Sequence, residues 1–262
     1  MGRLARTLNP SGVAVVAGAI LLWQLLVATK VLDFSYLPAP TDVASALGDL
    51  LESGELATAV AHTLWVTLVA SAIATVLGIA LGLAIGLLPL VRTYSMSSVD
   101  FFRTLPLTAM IPAILLIWGP TAKAEIIAAT YGAAWQIVVN TAGGVRSVHP
   151  RLHDVARTFQ LTRFETVRKV IIPAATPAML VGGRLAIVTA LVVAIIAEML
   201  INPEGVGAGL VSGQQSLQPA ITWSYAVVAG IIGYLLNAVL VWAVRRALPG
   251  GGANIGAAME AT

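Results

Sequence analysis

The chain has 262 residues, of which 58% are hydrophobic and only 10% charged, with a net charge of +3 and no cysteine. Soluble domains carry about 25% charged residues; with a mean hydropathy of +0.90 the composition indicates an all-α polytopic membrane protein and excludes a nucleic-acid-binding domain. Without cysteine there can be no disulfide, thiolate nucleophile or cysteine-ligated metal.

A helix needs about 20 predominantly apolar residues to cross a hydrocarbon core about 30 Å thick. Six stretches are read as spans: 12–31, 62–88, 106–118, 125–145, 178–201 and 224–244. The first follows Arg3 and Arg6 and lacks a small-residue cleavage site, so it reads as a retained anchor. The third is short and holds Pro106 and Pro112, which kink a helix where neighbours satisfy the freed carbonyl. Basic residues set the orientation. Arg3, Arg6, Arg92, Arg103, six residues between Arg146 and Lys169, Arg245 and Arg246 lie on one side, against Lys30 and Lys123 on the other. The positive-inside rule therefore places both termini in the cytoplasm.

In chain order, the external stretch LPAPTDVASALGDLLESGEL predicts a short interfacial helix with Thr41 as N-cap and Val43, Leu47, Leu50 and Leu51 on one face. In the second span Ala70, Ala74, Gly78, Gly82 and Gly86 recur every four residues, a smooth stripe along which another helix can pack closely. Asn140 and Thr141 are polar groups inside the fourth span; for Asn140 a water path and helix-to-helix hydrogen bonding are both open. The fifth span holds Arg184 and Glu198, about 21 Å apart along a helix axis and too distant to pair. Arg184 is read as snorkelling to the cytoplasmic interface, and Glu198 as a loop-ordering or pathway residue. The glycine-rich loop after it caps the external side, and the last span carries Gly230, Gly233 and Asn237. Residues 1–248 make a single membrane domain, followed by a flexible cytoplasmic tail, 249–262.

The cytoplasmic loop 146–177 is the polar exception. In RLHDVARTFQLTRFETVRKVIIP, Leu152, Val155, Ala156 and Phe159 fall at i, i+3, i+4, i+7 and share one face of a short helix. Phe164, Val167 and Ile171 repeat the pattern in a second, which Pro173 is expected to stop.

Chemistry is absent by inspection. There is no phosphate-binding loop, no H-E-x-x-H pair and no nucleophile elbow, so no catalytic residue is assigned. His149 and His153 are four apart but interrupted by Pro150, and no metal site is expected there. Energy for any work must come from a partner or an ion gradient.

The loop resembles the EAA loop of permease subunits of binding-protein-dependent ABC importers: E-A-A, three residues, G, nine residues, I-x-L-P. The register runs Asp154-Val155-Ala156, three residues, Gln160 at the glycine position, nine residues, then Val170-Ile171-Ile172-Pro173. LPAPTDVASAL, SGELATAVAHTLWVTL, NTAGGVRSV, VGGRLAIVTALVVAIIAEM and GVGAGL extend the resemblance, toward the subgroup for nitrate, sulfonates, taurine and related small solutes. Asn237 stands where that subgroup usually carries an acidic residue, and Pro249-Gly250 where its tail carries a tryptophan.

This resemblance implies a MetI-like type I importer permease of the bacterial cytoplasmic (inner) membrane. It implies a homodimer of permeases in membrane lipid, an external solute-binding protein, and cytoplasmic ATPase subunits that carry the ATP and magnesium, with no cofactor in this chain. Coupling to the ATPase would rest on Leu152, Asp154, Val155, Ala156, Phe159, Gln160, Leu161 and Pro173; Met110, Asn140, Arg184 and Glu198 are the pathway candidates. The alternative from another class is a gradient-driven secondary carrier or half-carrier, which requires intramembrane carboxylates or inverted repeats.

Overall fold

A computed structural model describes residues 10–31, 34–200 and 202–247, and among these all regular structure is helical. The helices are α1 (Pro10–Ala28), α2 (Pro40–Glu52), α3 (Glu55–Leu87), α4 (Pro89–Thr104), α5 (Leu107–Trp118), α6 (Ala122–Arg146), α7 (Pro150–Thr158), α8 (Arg163–Thr166), α9 (Ile172–Leu200), α10 (Val206–Gln215) and α11 (Pro219–Ala247). A π-helical turn, Val167–Ile171, joins α8 to α9. Arg3, Arg6 and the expected tail lie outside the described residues.

The centre is a three-helix unit of α3, α6 and α9. A Cβ added to Gly78, Gly82 or Gly86 would lie 2.6 Å from Ile137 Cβ, 2.5 Å from Thr141 Cβ and 2.8 Å from Val145 Cβ respectively. Each step of four along α3 meets a step of four along α6, so the two helices run parallel. Against α9 the order reverses: Gly144 meets Ala175 and Ala178, Gly182 meets Gln136 and Asn140, and Gly132 meets Val193. Hence α9 runs antiparallel to both. Ala70, Ala74, Ala128, Ala129, Ala133, Ala190 and Ala194 are fully buried in this contact. The small-residue stripe read in the second span is thus a packing face within the subunit.

Among the described residues three helical runs are long and apolar enough to cross a membrane: Glu55–Leu87, Arg163–Leu200 and Pro219–Val244. A fourth crossing is available if α4 and α5, bent by 88° at their junction, count as one span. Contacts favour that count. Arg92 and Met96 of α4 share a cleft with Arg146 at one end of α6, whereas Tyr131, midway along α6, donates to the Phe102 carbonyl at 2.6 Å. From there α5 continues, starting with Leu107 against Gly132. The bent pair therefore carries the chain back to the start of α6. The expected third span, 106–118, is corrected: it is only one arm, because Leu105 is extended and Pro106 has no N–H to continue the ladder.

α1 as a whole has 19 residues, within the range of a span, although its continuous apolar run, Ala14–Ala28, is shorter. At 25 residues α6 is long enough, but it is enclosed by α3 and α9 and packs with alanine and glycine in place of bulky lipid-facing residues.

Three other local readings change. The N-cap of α2 is Ala39, not Thr41: Pro40 takes the first helical position and the Asp42 carboxylate accepts from the Ala39 N–H at 3.3 Å. Thr41 instead exchanges hydrogen bonds with Gln24 of α1. Val43 and Leu50 are buried while Leu51 is 58% exposed, so Leu51 does not belong to the packed face. Finally, Pro173 does not stop the second loop helix. The Ile172 N–H bonds to the Val167 carbonyl, five residues back, and the widened turn lets proline enter without clashing with the carbonyl four residues before it. Residues Arg163–Leu200 thereby form one helical run of 38 residues.

Gly82 faces backbone as well as side chain, since a Cβ there would also lie 2.9 Å from the Val138 carbonyl oxygen. Gly82→Leu should therefore lower stability by about 1–3 kcal/mol or more. Thermal unfolding of detergent-purified protein should show this loss, while Gly230→Ala, where a Cβ meets nothing within 4 Å, should leave the midpoint unlowered, since alanine is the better helix former.

Candidate functional site

Three polar features stand out, and α7 is the most exposed of them. Its start is fixed by Pro150 at the first helical position and by His149, whose Nδ1 accepts from the Arg151 N–H at 3.2 Å. Its end is a Schellman turn: the Gln160 N–H bonds to the Arg157 carbonyl at 2.9 Å and the Leu161 N–H to the Ala156 carbonyl at 3.0 Å. Gln160 takes the left-handed conformation, φ 50°, so the turn a glycine would make without cost is made here by glutamine. Thr162 then caps α8, accepting from the Glu165 N–H at 3.3 Å while the Glu165 carboxylate accepts from the Thr162 N–H at 3.1 Å.

Ala156 is buried at 3% exposure, packed toward the body of the protein. Leu152, Val155 and Phe159 stay exposed, at 38, 48 and 72%, and Phe164 at 72%. An apolar ridge thus stands on a segment whose charged residues are Arg151, Asp154, Arg157 and Arg163. Pro173 lies below it, past the π turn, and Leu161 is half-buried at the loop corner.

The second feature is a cleft of about 620 Å³ between the α4–α5 bend, α6 and α9, lined in part by Arg103, Thr108, Tyr131, Gln136, Asn140 and Thr189. Asn140, a pathway candidate, lines this cleft; its amide donates to the Gln136 carbonyl at 2.8 Å, one turn back on the same helix, and so makes no helix-to-helix bond among the described residues. Arg103, a loop residue on the sequence reading, ends α4 and pairs with Asp100 at 3.0 Å. The remaining pathway candidates are elsewhere. Met110 packs against the central core. Arg184 does not snorkel: its Nε donates to Asn237 Oδ1 of α11 at 2.8 Å, the reach of a cross-helix hydrogen bond.

Glu198 belongs to the third feature, at the far end of the bundle from α7. It is 1% exposed, and its carboxylate accepts from the Gly207 N–H at 2.8 Å. Beside it, His62 Nε2 lies 2.9 Å from Glu125 and His62 Nδ1 lies 3.1 Å from Glu204. The loop before α10 closes over Glu198 on glycine: a Cβ at Gly205, whose φ is +98°, would strike the carboxylate. Glu198 is therefore a loop-ordering residue.

Comparison with known proteins fits this arrangement. Residues 74–250 match the family described as the binding-protein-dependent transport system inner membrane component. The chain belongs to this family of ABC importer permeases. It is 29% identical to an aliphatic sulfonates transport permease protein, SsuC, of Bacillus subtilis (strain 168), over 90% of this chain and 86% of that one. The SsuC permease of Escherichia coli (strain K12) is 31% identical over 84% of each chain. In fold the permease is similar to a chain of the MetNI methionine ABC transporter in inward-facing conformations, with a TM-score of 0.64 and 24% identity, covering 74% of this chain and 97% of that one.

The family segment begins inside α3 and includes the bent pair, the α7 loop and α9, so the features described above, His62 apart, lie on the shared body of the permease. Family membership also sets aside the gradient-driven carrier.

A left-handed glutamine costs roughly 1 kcal/mol relative to glycine. Gln160→Gly should accordingly raise hydrogen-exchange protection of the Leu161 amide by up to about fivefold. Gln160→Ile, β-branched at the same φ, should remove that protection.

Proposed function

We propose that the permease is one of two identical membrane subunits of an importer for a small anionic or polar organic solute of the sulfonate, nitrate or taurine kind. Its transport is alternating access, driven by separate ATPase subunits that hold the ATP and magnesium, and it receives solute from an external binding protein. The sulfonate permeases among its relatives support the substrate class. In this reading the chain is a multi-pass protein of the bacterial cytoplasmic membrane, both termini face inward, and α1, α3, the α4–α5 pair, α6, α9 and α11 make the six crossings.

The observation that carries the reading is the ridge of Leu152, Val155 and Phe159 on α7. Apolar side chains among arginines at a water-facing surface favour a protein groove, and covering residues of this size stabilises a complex by roughly 1.5–3 kcal/mol each. Asp154 and Gln160 flank the ridge, and Ala156 and Leu161 tie it down. Transmission follows from continuity. A push on α7 passes through the capped turn at Thr162 into the 38-residue run that ends beside Glu198, and a helix packed along its length moves as a unit.

The solute path in this reading is the cleft beside the α4–α5 bend, closed by the second permease copy. Arg103 supplies the positive charge an anion requires, and Thr108, Gln136 and Asn140 supply donors.

Two outcomes test the reading. Val155→Asp combined with Phe159→Asp should abolish co-purification of the ATPase while the permease still inserts in the membrane at normal yield; undiminished co-purification would remove the docking role. In proteoliposomes containing the whole importer, Arg103→Gln should reduce uptake of an anionic solute by about tenfold or more, the effect of losing roughly 1.4 kcal/mol. Unaltered uptake would place the path elsewhere.

A further inference from the structure

The cluster at the end of the bundle opposite α7 has unmet chemistry. Glu125 is 0% exposed and Glu198 1% exposed, and among the described residues one carboxylate oxygen of each, Oε1, has no hydrogen-bond partner. Nor does either carboxylate form an ion pair with a lysine or arginine among those residues. Beside them is His62, whose two nitrogens already face two different carboxylates, Glu125 at 2.9 Å and Glu204 at 3.1 Å. Two buried carboxylates and one imidazole leave more lone pairs than donors, which is costly unless a cation or further donors complete the cluster.

We propose that His62, Glu125 and Glu198 bind a divalent transition-metal cation of the zinc class. One donor atom from each lies within 4.8 Å of the other two; ligands about 2.0–2.2 Å from zinc sit roughly 3.3 Å apart, so a closure of at most about 1.5 Å forms the site. One imidazole nitrogen and two carboxylates suit zinc, with water as the fourth ligand. The surroundings are those of a built site. Glu204 faces Nδ1 at 3.1 Å and leaves Nε2 turned toward Glu125, with the Asn202 amide 3.5 Å away, so that a carboxylate behind the ring orients the nitrogen that would ligate. Access comes from an open cavity of about 520 Å³ lined by His62, Glu204 and Gly205. The three ligands come from α3, α6 and α9, so the cation would pin the ends of all three central helices together and hold the loop before α10 over them.

The test uses the full-length permease in detergent, stripped with EDTA and titrated with zinc by calorimetry and by thermal unfolding. The expected result is one tight zinc per chain and a raised unfolding midpoint on saturation. His62→Gln should weaken binding at least about 100-fold and the exposed Glu204→Gln, which should not disturb folding, about 10-fold. A variant with both His149→Gln and His153→Gln should bind as the parent does. Zinc binding that is absent from the parent, or unchanged by His62→Gln and Glu204→Gln, would overturn the proposal. So would Glu125→Gln or Glu198→Gln variants that fold stably, unfold at a higher temperature than the parent in zinc, and bind zinc as the parent does.

Discussion

Everything in this protein hangs on how closely α3, α6 and α9 approach one another. In lipid, bringing apolar helices together releases no water, so association has to come from van der Waals contact and a few cross-helix hydrogen bonds. Gly78, Gly82 and Gly86 on α3, Gly132 and Gly144 on α6 and Gly182 on α9 supply the close approach. The resulting unit is rigid along its length, and its two ends are where the polar chemistry is: the α7 loop joins α6 to α9 at one end, and His62, Glu125 and Glu198 converge at the other.

On the proposed function, that arrangement carries motion from one end of the unit to the other. The connection from α7 to α9 is continuous helix apart from one Schellman turn and one cap, and the π turn at Val167–Ile171 accommodates Pro173 without a break. A lever must not flex at its joints. The Thr162–Glu165 capping box and the Lys169–Glu165 ion pair at 2.9 Å stiffen the joint next to α7, whereas the 88° bend between α4 and α5 leaves a cleft beside the unit, the proposed solute path.

What is legible in the sequence is local. The 3.6-residue pattern in 151–159, the four-residue spacing of small residues in 70–86 and the proline at Pro112 are each read within a few turns of helix, and the structure realises the first two as α7 and the α3–α6 contact. The misreadings have physical causes. Pro173 reads as a stop because the π turn that admits it leaves no compositional mark. Leu51 and Thr41 are misplaced by one or two positions because Pro40 can start a helix with no side-chain cap. Arg184 read alone suggests snorkelling, yet its partner Asn237 is 53 residues away. Likewise His62 and Glu125, 63 residues apart, become neighbours only once α3 and α6 pack in parallel, and Arg103 enters the cleft only through a bend at Pro106.

The coupling role of α7 is tested most directly by single-cysteine cross-linking, which the absence of native cysteine makes clean. A single cysteine introduced by Phe159→Cys, joined with a short maleimide cross-linker in membranes holding the assembled importer, should form an adduct with an ATPase subunit whose yield changes when ATP is added. If the cysteine gives no ATPase adduct, and is instead labelled in intact cells by a membrane-impermeant maleimide, α7 faces outward and is not the coupling helix.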